Sequence, residues 1–381
     1  MRIAVVHSFY RSVLPSGENQ VVLQQVDGLR QRGYDVLLVR ADSDELRTGP
    51  VSLLRTAWDV ARYAGTDPRP ELDRFRPDVI HVHNLFPNFD SHWLHRPPAP
   101  VVATLHNYRS GCTSAVLSRD GDLCTLCPEG NRWAAVKHRC YRGSLMGTLP
   151  MAWRTRHGVD GDPVLQTADR LIVLSESTQQ MFESFGVAAD RMALIPNGVP
   201  DPGPSRTRTP MPPRFAAVGR LSPEKGFRSL LRDWPVGAPL DIVGDGPEAD
   251  ELRRMAPTGV HFPGLLPHDE FLSRLSTYSA LIVPGANPEG GYPMVTVEAL
   301  AAGVPLVARV GGVVAPMVEQ WGAGATFVGA ADLGEALERA ILLPPQSVRR
   351  VYEEHFTQSG WLDRLEALYH QVRSRAERPP D

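Results

Sequence analysis

The sequence predicts an α/β protein built from two doubly wound parallel-sheet domains. Short, continuously apolar runs alternate with helical patterns. A proline-rich stretch without apolar periodicity interrupts them near the middle of the 381 residues, and beyond it the alternation restarts. A length of this size suits two domains of roughly 100–200 residues each.

The first half opens with Ile3-Ala4-Val5-Val6-His7, apolar without alternation, as expected of a strand buried on both faces. After the loop Pro15 to Asn19, a helix is expected from about Glu18 to Arg32, with Val22, Val26 and Leu29 on one stripe and Gly33 as its stop. A second strand is expected over Asp35 to Val39, and others over Val79–His83, Val101–Leu105 and Leu171–Leu174. Ligands of such sheets bind beyond the carboxyl ends of the strands. His7, His83-Asn84, His106-Asn107 and Ser175 are expected on that rim.

Pro200 to Pro213 reads as the linker. After it, strands are expected at Phe215–Val218, Leu240–Val243, Val260–Phe262, Leu281–Val283 and Leu306–Ala308. The last helix, Gly360 to about Arg373, carries Trp361, Leu365, Leu368, Tyr369 and Val372 on one face and is expected to pack on the first domain.

The richest stretch is Pro284 to Gly312. A buried strand ends at Pro284-Gly285, a turn holds Gly290 and Gly291, Pro293 takes the first helical position, and Met294 to Ala302 form a helix stopped by Gly303 and Pro305. Strand, glycine turn and helix N-terminus make an anion site, because bare N–H groups and the positive dipole end face the loop. Glu298, more than a turn into that helix, is placed to accept hydrogen bonds from vicinal hydroxyls.

Composition narrows the field. Hydrophobic content of 42% and charged content of 22% are those of a globular protein, and a net charge of -3 gives no reason to expect nucleic acid as a partner. The amino-terminal apolar run is too short for a signal peptide and no run approaches a membrane span, so a cytoplasmic protein is expected, with peripheral membrane contact left open. Oligomeric state is not legible.

Taken together, Gly219-Arg220-Leu221-Ser222-Pro223-Glu224-Lys225-Gly226, Gly244-Asp245-Gly246-Pro247, Pro196-Asn197-Gly198-Val199 and Gly291-Tyr292-Pro293 with Glu298-Ala299-Leu300 resemble the retaining glycosyltransferases of family GT4. In the first half, Ser16-Gly17-Glu18-Asn19, His81 to Asn84 and Leu105 to Arg109 look like that family's matching segments. The resemblance spans nearly the whole chain. It implies a GT-B fold, two Rossmann-like domains facing across a cleft. Residues 1–198 would form the acceptor-binding domain, 199–213 the linker, 214–355 the nucleotide-sugar domain, and 356–381 a helix returning to the first domain.

The resemblance also implies roles. Arg220 and Lys225 match the pair that clamps the donor diphosphate, and two cations about five residues apart across a strand-to-loop turn suit that task. Gly17 matches the loop where backbone approaches the phosphate, and Glu298 the glutamate that holds the ribose hydroxyls. Gly290, Gly291, Tyr292, Pro293, Met294 and Val295 would form the donor loop, with Gly264-Leu265-Leu266 beside the base, uracil more commonly than guanine. His106 matches the histidine beside the reacting sugar, while Ser16, His83, Asn107, Tyr108 and Arg109 are candidate acceptor contacts. One departure stands out: the family's first glutamate falls on Gly290, with Glu289 one place earlier. Either Glu289 reaches in through the glycine turn or that contact is lost. Implied overall is a metal-independent retaining transfer to a hydroxyl of a saccharide, lipid-linked or natural-product acceptor. The alternatives are a nucleotide-sugar epimerase or hydrolase of the same fold, or a non-catalytic nucleotide-sugar binder.

All four cysteines, Cys112, Cys124, Cys127 and Cys140, lie in an insert from Arg109 to Arg142 with spacing C-x11-C-x2-C-x12-C. That pattern leaves three states open: a structural zinc, disulfides, or free thiols. Arg132, Lys137, His138, Arg139 and Arg142 make the insert basic, which suits an anionic acceptor or simply a solvated loop.

Overall fold

The computed structural model describes residues 1–10, 16–45, 50–131, 133–203 and 212–376. Arg132 of the basic insert and residues 204–211 of the expected linker lie outside them. The chain divides into two compact units. The first comprises 1–117, 124–196 and 362–381, and the second 118–123 and 197–361.

The first unit is a six-stranded parallel sheet. Its strands are β1 (Arg2–Phe9), β2 (Asp35–Asp42), β3 (Val79–Asn84), β4 (Val101–Thr104) and, after the two short strands of the insert, β5 (Ser118–Arg119) and β6 (Asp122–Leu123), β7 (Arg170–Val173) and β8 (Met192–Leu194). Their order is β2-β1-β3-β4-β7-β8. β1 is buried from Ile3 to Phe9 because strands flank it on both sides and helices cover both faces, which is why its sequence is continuously apolar. The direction of its neighbours changes at β1 and β3, and this switch point is where a doubly wound sheet opens a crevice. The helix Gly17–Gln31 follows β1, capped by Ser16, whose hydroxyl accepts from the Asn19 amide.

The second unit repeats the architecture with β9 (Phe215–Val218), β10 (Leu240–Val243), β11 (Val260–Gly264), β12 (Ala280–Val283), β13 (Leu306–Arg309) and β14 (Gly324–Phe327), ordered β11-β10-β9-β12-β13-β14. This is the strand order of a dinucleotide-binding sheet, with its switch point between β9 and β12. Alternate residues feed two cores on opposite faces. Phe215, Ala217, Ile242 and Ile282 enter one, and Ala216, Val243, Leu281 and Leu306 enter the other. The antiparallel hairpin β5-β6 also groups with this unit, so the insert expected wholly in the first domain contributes 118–123 to the second.

The last helix, Gln358–Ala376, gives 358–361 to the second unit and the rest to the first. In the first unit Leu362, Leu365, Leu368, Tyr369 and Val372 are buried. The Tyr369 hydroxyl there meets Nδ1 of His81 at 2.6 Å and accepts from Gln25 Nε2 at 2.9 Å. Trp361 belongs instead to the second unit, where its side chain covers Gly198. Among the described residues no helix is long and apolar enough to cross a membrane.

Candidate active site

In the second unit, the loops that leave β9 and β12 flank the switch point. The first carries Gly219 to Gly226, in which Pro223–Lys225 forms a single 3-10 turn. Gly226 sits at φ 76°, and a Cβ there would lie 2.4 Å from the Pro284 carbonyl oxygen at the end of β12. Only glycine lets these two loops touch. Gly244 permits the same close approach on the neighbouring strand, at φ 143° against the Gly219 carbonyl. Close packing of these glycines brings Lys225 across to the second loop, where Nζ donates to Glu289 Oε2 at 2.6 Å.

The helix after that loop runs Met294–Ala301, with Pro293 at the N-cap rather than in the first helical position. Pro293 has ψ 132°, an extended value, so the first helical turn begins one residue later than the sequence suggests. No side chain caps this end, leaving the amides of Met294 and Val295 without intrahelical partners. Lys225, Glu289, Pro293, Val295 and Thr296 line one small pocket, floored by Val218 and Phe227. Cation, carboxylate and helix N-terminus thus converge. Tyr292 is pinned edge-on to Phe356, with ring centroids 5.7 Å apart. Gly290 is buried and Gly291 partly so.

Glu298 is paired. Its Oε1 lies 2.8 Å from Nε2 of His268, the first residue of the helix His268–Leu275. His268 follows Gly264-Leu265-Leu266, the segment expected beside the base, where Gly264 closes β11 at φ 80° and Leu265 is exposed. Arg220 is exposed and, among the described residues, makes no side-chain ion pair.

In the first unit, the switch point between β1 and β3 gathers a second polar cluster. Asn84 Nδ2 donates to the Tyr10 hydroxyl at 3.0 Å, and Asn19 Oδ1 meets His7 Nε2 at 3.0 Å. Glu18, with 12% of its side chain exposed, faces Tyr10, Asn84 and Arg109; burial pushes its carboxyl up to about 7, and those three neighbours offset some of the rise. Arg109 stacks over the Phe86 ring at 4.1 Å, and its Nε and Nη1 are buried without a hydrogen-bond partner among the described residues. The rest of the guanidinium is engaged, beside the Glu18 carboxylate and the Tyr10 hydroxyl. Gly17, the first residue of its helix, is exposed.

His83 and His106 come together, Nδ1 to Nε2 at 2.8 Å with their rings stacked 5.1 Å apart. His81 stacks on His83 at 4.2 Å, and His7 stands edge-on 6.2 Å away. Burial favours the neutral form of all four, lowering His7 to about 4, His81 and His106 to about 3, and His83 well below its ordinary value, with help from the neighbouring imidazoles. His81 hydrogen-bonds Thr104 and Tyr369 inside the core, and His7 and His83 are themselves almost fully buried. Of the expected rim histidines, His106 has the open side.

Three residues expected at the rim point elsewhere. Tyr108 is fully buried against Phe182 and Phe185. Asn107 turns its side chain back to the Arg109 amide at 3.1 Å and shapes the loop. Ser175, also expected on the rim, is buried as the N-cap of the helix Glu176–Ser184.

The four cysteines are free thiols. Cys127 packs with Cys140 near Ala134 and Ala135, and burial, reinforced by the other three thiols, pushes Cys127 up to about 11. Among the described residues no group of three or more His, Cys, Asp or Glu is arranged to hold a metal ion. Sequence reasoning missed His268 and gave Tyr10 and Glu18 no role. The signal for His268 was its position two residues beyond the segment expected beside the base; Glu18 stood out only as one member of Ser16-Gly17-Glu18-Asn19.

Residues 15–201 match the family model described as Glycosyltransferase Family 4, and 212–343 match the model Glycosyl transferases group 1. Over 214 residues the chain is 34% identical to an exopolysaccharide phosphotransferase of Streptomyces coelicolor, covering 51% of this chain and 20% of that protein. A 2-deoxystreptamine N-acetyl-D-glucosaminyltransferase of Streptomyces fradiae is 32% identical over 298 residues, 72% of this chain and 64% of its own. A GDP-mannose-dependent alpha-mannosyltransferase of Mycolicibacterium smegmatis is 26% identical over 337 residues, 81% and 79%. The chain spans about a fifth of the first of these relatives and just under two thirds of the second. Among solved structures, Anabaena HepE in complex with UDP and glucose matches with a TM-score of 0.63 at 16% identity, over 97% of this chain and all of that one. The strand orders and these matches define the class. The chain belongs to the family 4 glycosyltransferases of GT-B fold.

Proposed function

We propose that this protein transfers a sugar, with retention, from a nucleoside-diphosphate donor to a hydroxyl of a saccharide, lipid-linked or natural-product acceptor. One observation carries the reading: at the switch point of the second sheet, Lys225, Glu289 and an uncapped helix N-terminus line one pocket. A diphosphate placed there gains an ammonium and two free amides, and Arg220 adds a second cation. Glu298, held by His268, takes the ribose hydroxyls. Glu289 is one carboxylate away from the phosphates and reaches the donor sugar.

The bond from the anomeric carbon to the diphosphate oxygen breaks while the acceptor oxygen bonds to the same face. The acceptor proton passes to the departing phosphate oxygen. Lys225, Arg220 and the helix amides stabilise the charge that grows on that oxygen, a leading catalytic contribution in such sites. The protein supplies these positive groups itself, and the reaction needs no divalent ion. The first unit supplies the acceptor side, with Arg109 and Ser16 as binding groups and His106, backed by His83, as the hydrogen-bonding group for the reacting sugar.

The base is the finer choice. HepE is solved with UDP, whereas the mycobacterial relative is named for GDP-mannose. We favour uridine. A panel of UDP-, GDP- and dTDP-sugars, read by thermal shift and by slow nucleotide release, tests this. One donor should stabilise the protein, and Lys225→Ala and Glu298→Ala should each weaken its binding at least tenfold, with release unchanged by EDTA. Failure of every nucleotide to bind at millimolar concentration would leave the reading without a basis.

A further inference from the structure

Two helices of the first unit, Pro50–Ala61 and Leu145–Arg154, present apolar side chains outward. On the second, Thr148, Met151 and Ala152 are buried, yet the opposite stripe is also apolar: Leu145, Met146, Leu149 and Trp153 are 44%, 77%, 45% and 49% exposed. A surface helix ordinarily turns a polar face to water. The neighbouring helix adds Leu54 and Trp58, one turn apart and 65% and 63% exposed. The two helices pack on each other, with Val60 and Met151 in one shared buried cluster. The exposed residues therefore form a contiguous ridge and not scattered singles.

The charge around the ridge is predominantly positive, with Asp59 and Asp160 as its acidic members. From Gly130 to Val159 the chain contains no aspartate or glutamate, while Lys137, Arg139 and Arg142 are exposed beside the ridge. Arg55 and Arg62 flank Trp58. A cavity of about 790 Å³ opens between the two tryptophans, where Arg62, Arg154, Arg156 and three histidines outnumber the one carboxylate, Asp160. Each arginine lies over an aromatic ring: Arg62 on Trp58, Arg154 on Tyr63 and Arg156 on Trp153, at 5.1, 3.7 and 4.4 Å. Apolar side chains with two tryptophans at their edge, ringed by cations and a guanidinium-lined hollow, match the interface of an anionic bilayer. Acyl chains meet the ridge, indole rings sit at headgroup depth, and lipid phosphates meet the arginines.

We infer that the first unit docks on an anionic membrane surface through these two helices. The docking does not depend on the nucleotide reading. Full-length protein is sedimented with vesicles of pure phosphatidylcholine, and with vesicles of phosphatidylcholine carrying about a third phosphatidylglycerol. Binding to the anionic vesicles should be at least tenfold stronger, should fall severalfold in 0.5 M NaCl, and should shift tryptophan emission to the blue. The variant Met146→Asp/Leu149→Asp, which changes only exposed positions, should keep its melting temperature and nucleotide binding while losing vesicle binding. Equal binding by variant and wild type, or no preference for anionic lipid, overturns the inference. So does concentration-dependent dimerisation abolished by the same variant, because the ridge would then belong to a second copy of the chain.

Discussion

At the scale of single residues, the pair Lys225 and Glu289 is the feature that the sequence leaves least settled. Its members are 28% and 29% exposed, so the ion pair contributes roughly 0–1 kcal/mol and is easily exchanged for a better partner. A diphosphate carries more charge than one carboxylate and can take the ammonium. Glu289 would then turn to the sugar. Glu289→Gln separates the two jobs: free UDP should bind about three to ten times tighter, since Lys225 no longer has a competing carboxylate, whereas the added affinity of a UDP-sugar over UDP should shrink. Calorimetric titration of both ligands reads this. Unchanged UDP affinity together with full turnover would remove Glu289 from the donor site. The departure at Gly290 then has a physical meaning: the carboxylate sits one residue earlier and is parked on a lysine.

At the scale of elements, glycine packing at the strand ends decides whether the donor loops meet. Gly226→Ala places a methyl 2.4 Å from a carbonyl oxygen, in a left-handed backbone that L side chains resist, so a loss of about 3 kcal/mol or more is expected. Nucleotide binding should fall with it, because Lys225 is the adjacent residue; a variant with wild-type urea midpoint and wild-type binding would contradict that packing. Much of this architecture was legible. Central parallel strands are apolar on both faces, so β1, β9, β10 and β12 were readable to within one or two residues. The short edge strands β8 and β14 were not, having three and four residues and little pattern of their own. On the candidate site, the turn that carries Lys225 and the helix that carries Glu298 were readable because their glycines and prolines mark the local backbone. His268 was not, since its contact with Glu298 is set by tertiary packing across 30 residues. The same limit applied to Tyr108, whose loop position hid its aromatic core partners.

At the scale of the molecule, the first unit buries four neutral histidines and, among its buried carboxyls, Glu18, whose ionisation burial resists, and these pull stability in opposite directions with pH. In the fold His7 is lowered to about 4, His81 and His106 to about 3, and His83 well below its ordinary value, against about 6.5 when unfolded. Their folded values are depressed, so the stability they lend is complete above 6.5 and is lost as pH falls toward 4. Glu18 is raised from 4.5 to about 7, so its contribution is complete below 4.5 and is lost as pH rises through 7. Between pH 5.5 and 6.5 the unfolded chain takes up protons on four imidazoles while the folded chain already holds one on Glu18. The difference is about two protons, or about 3 kcal/mol of stability lost per pH unit on acidification. The second unit holds no such cluster among its described residues. Urea unfolding at pH 7.5, 6.5 and 5.5 should therefore show the first unit's transition moving to lower urea with acid while the second unit's stays nearly fixed. Glu18→Gln should steepen the first unit's dependence by about one proton in the same window, because the opposing carboxyl is gone. If the first unit's midpoint is level from pH 7.5 to 5.5, the histidines are not buried neutral in the folded protein.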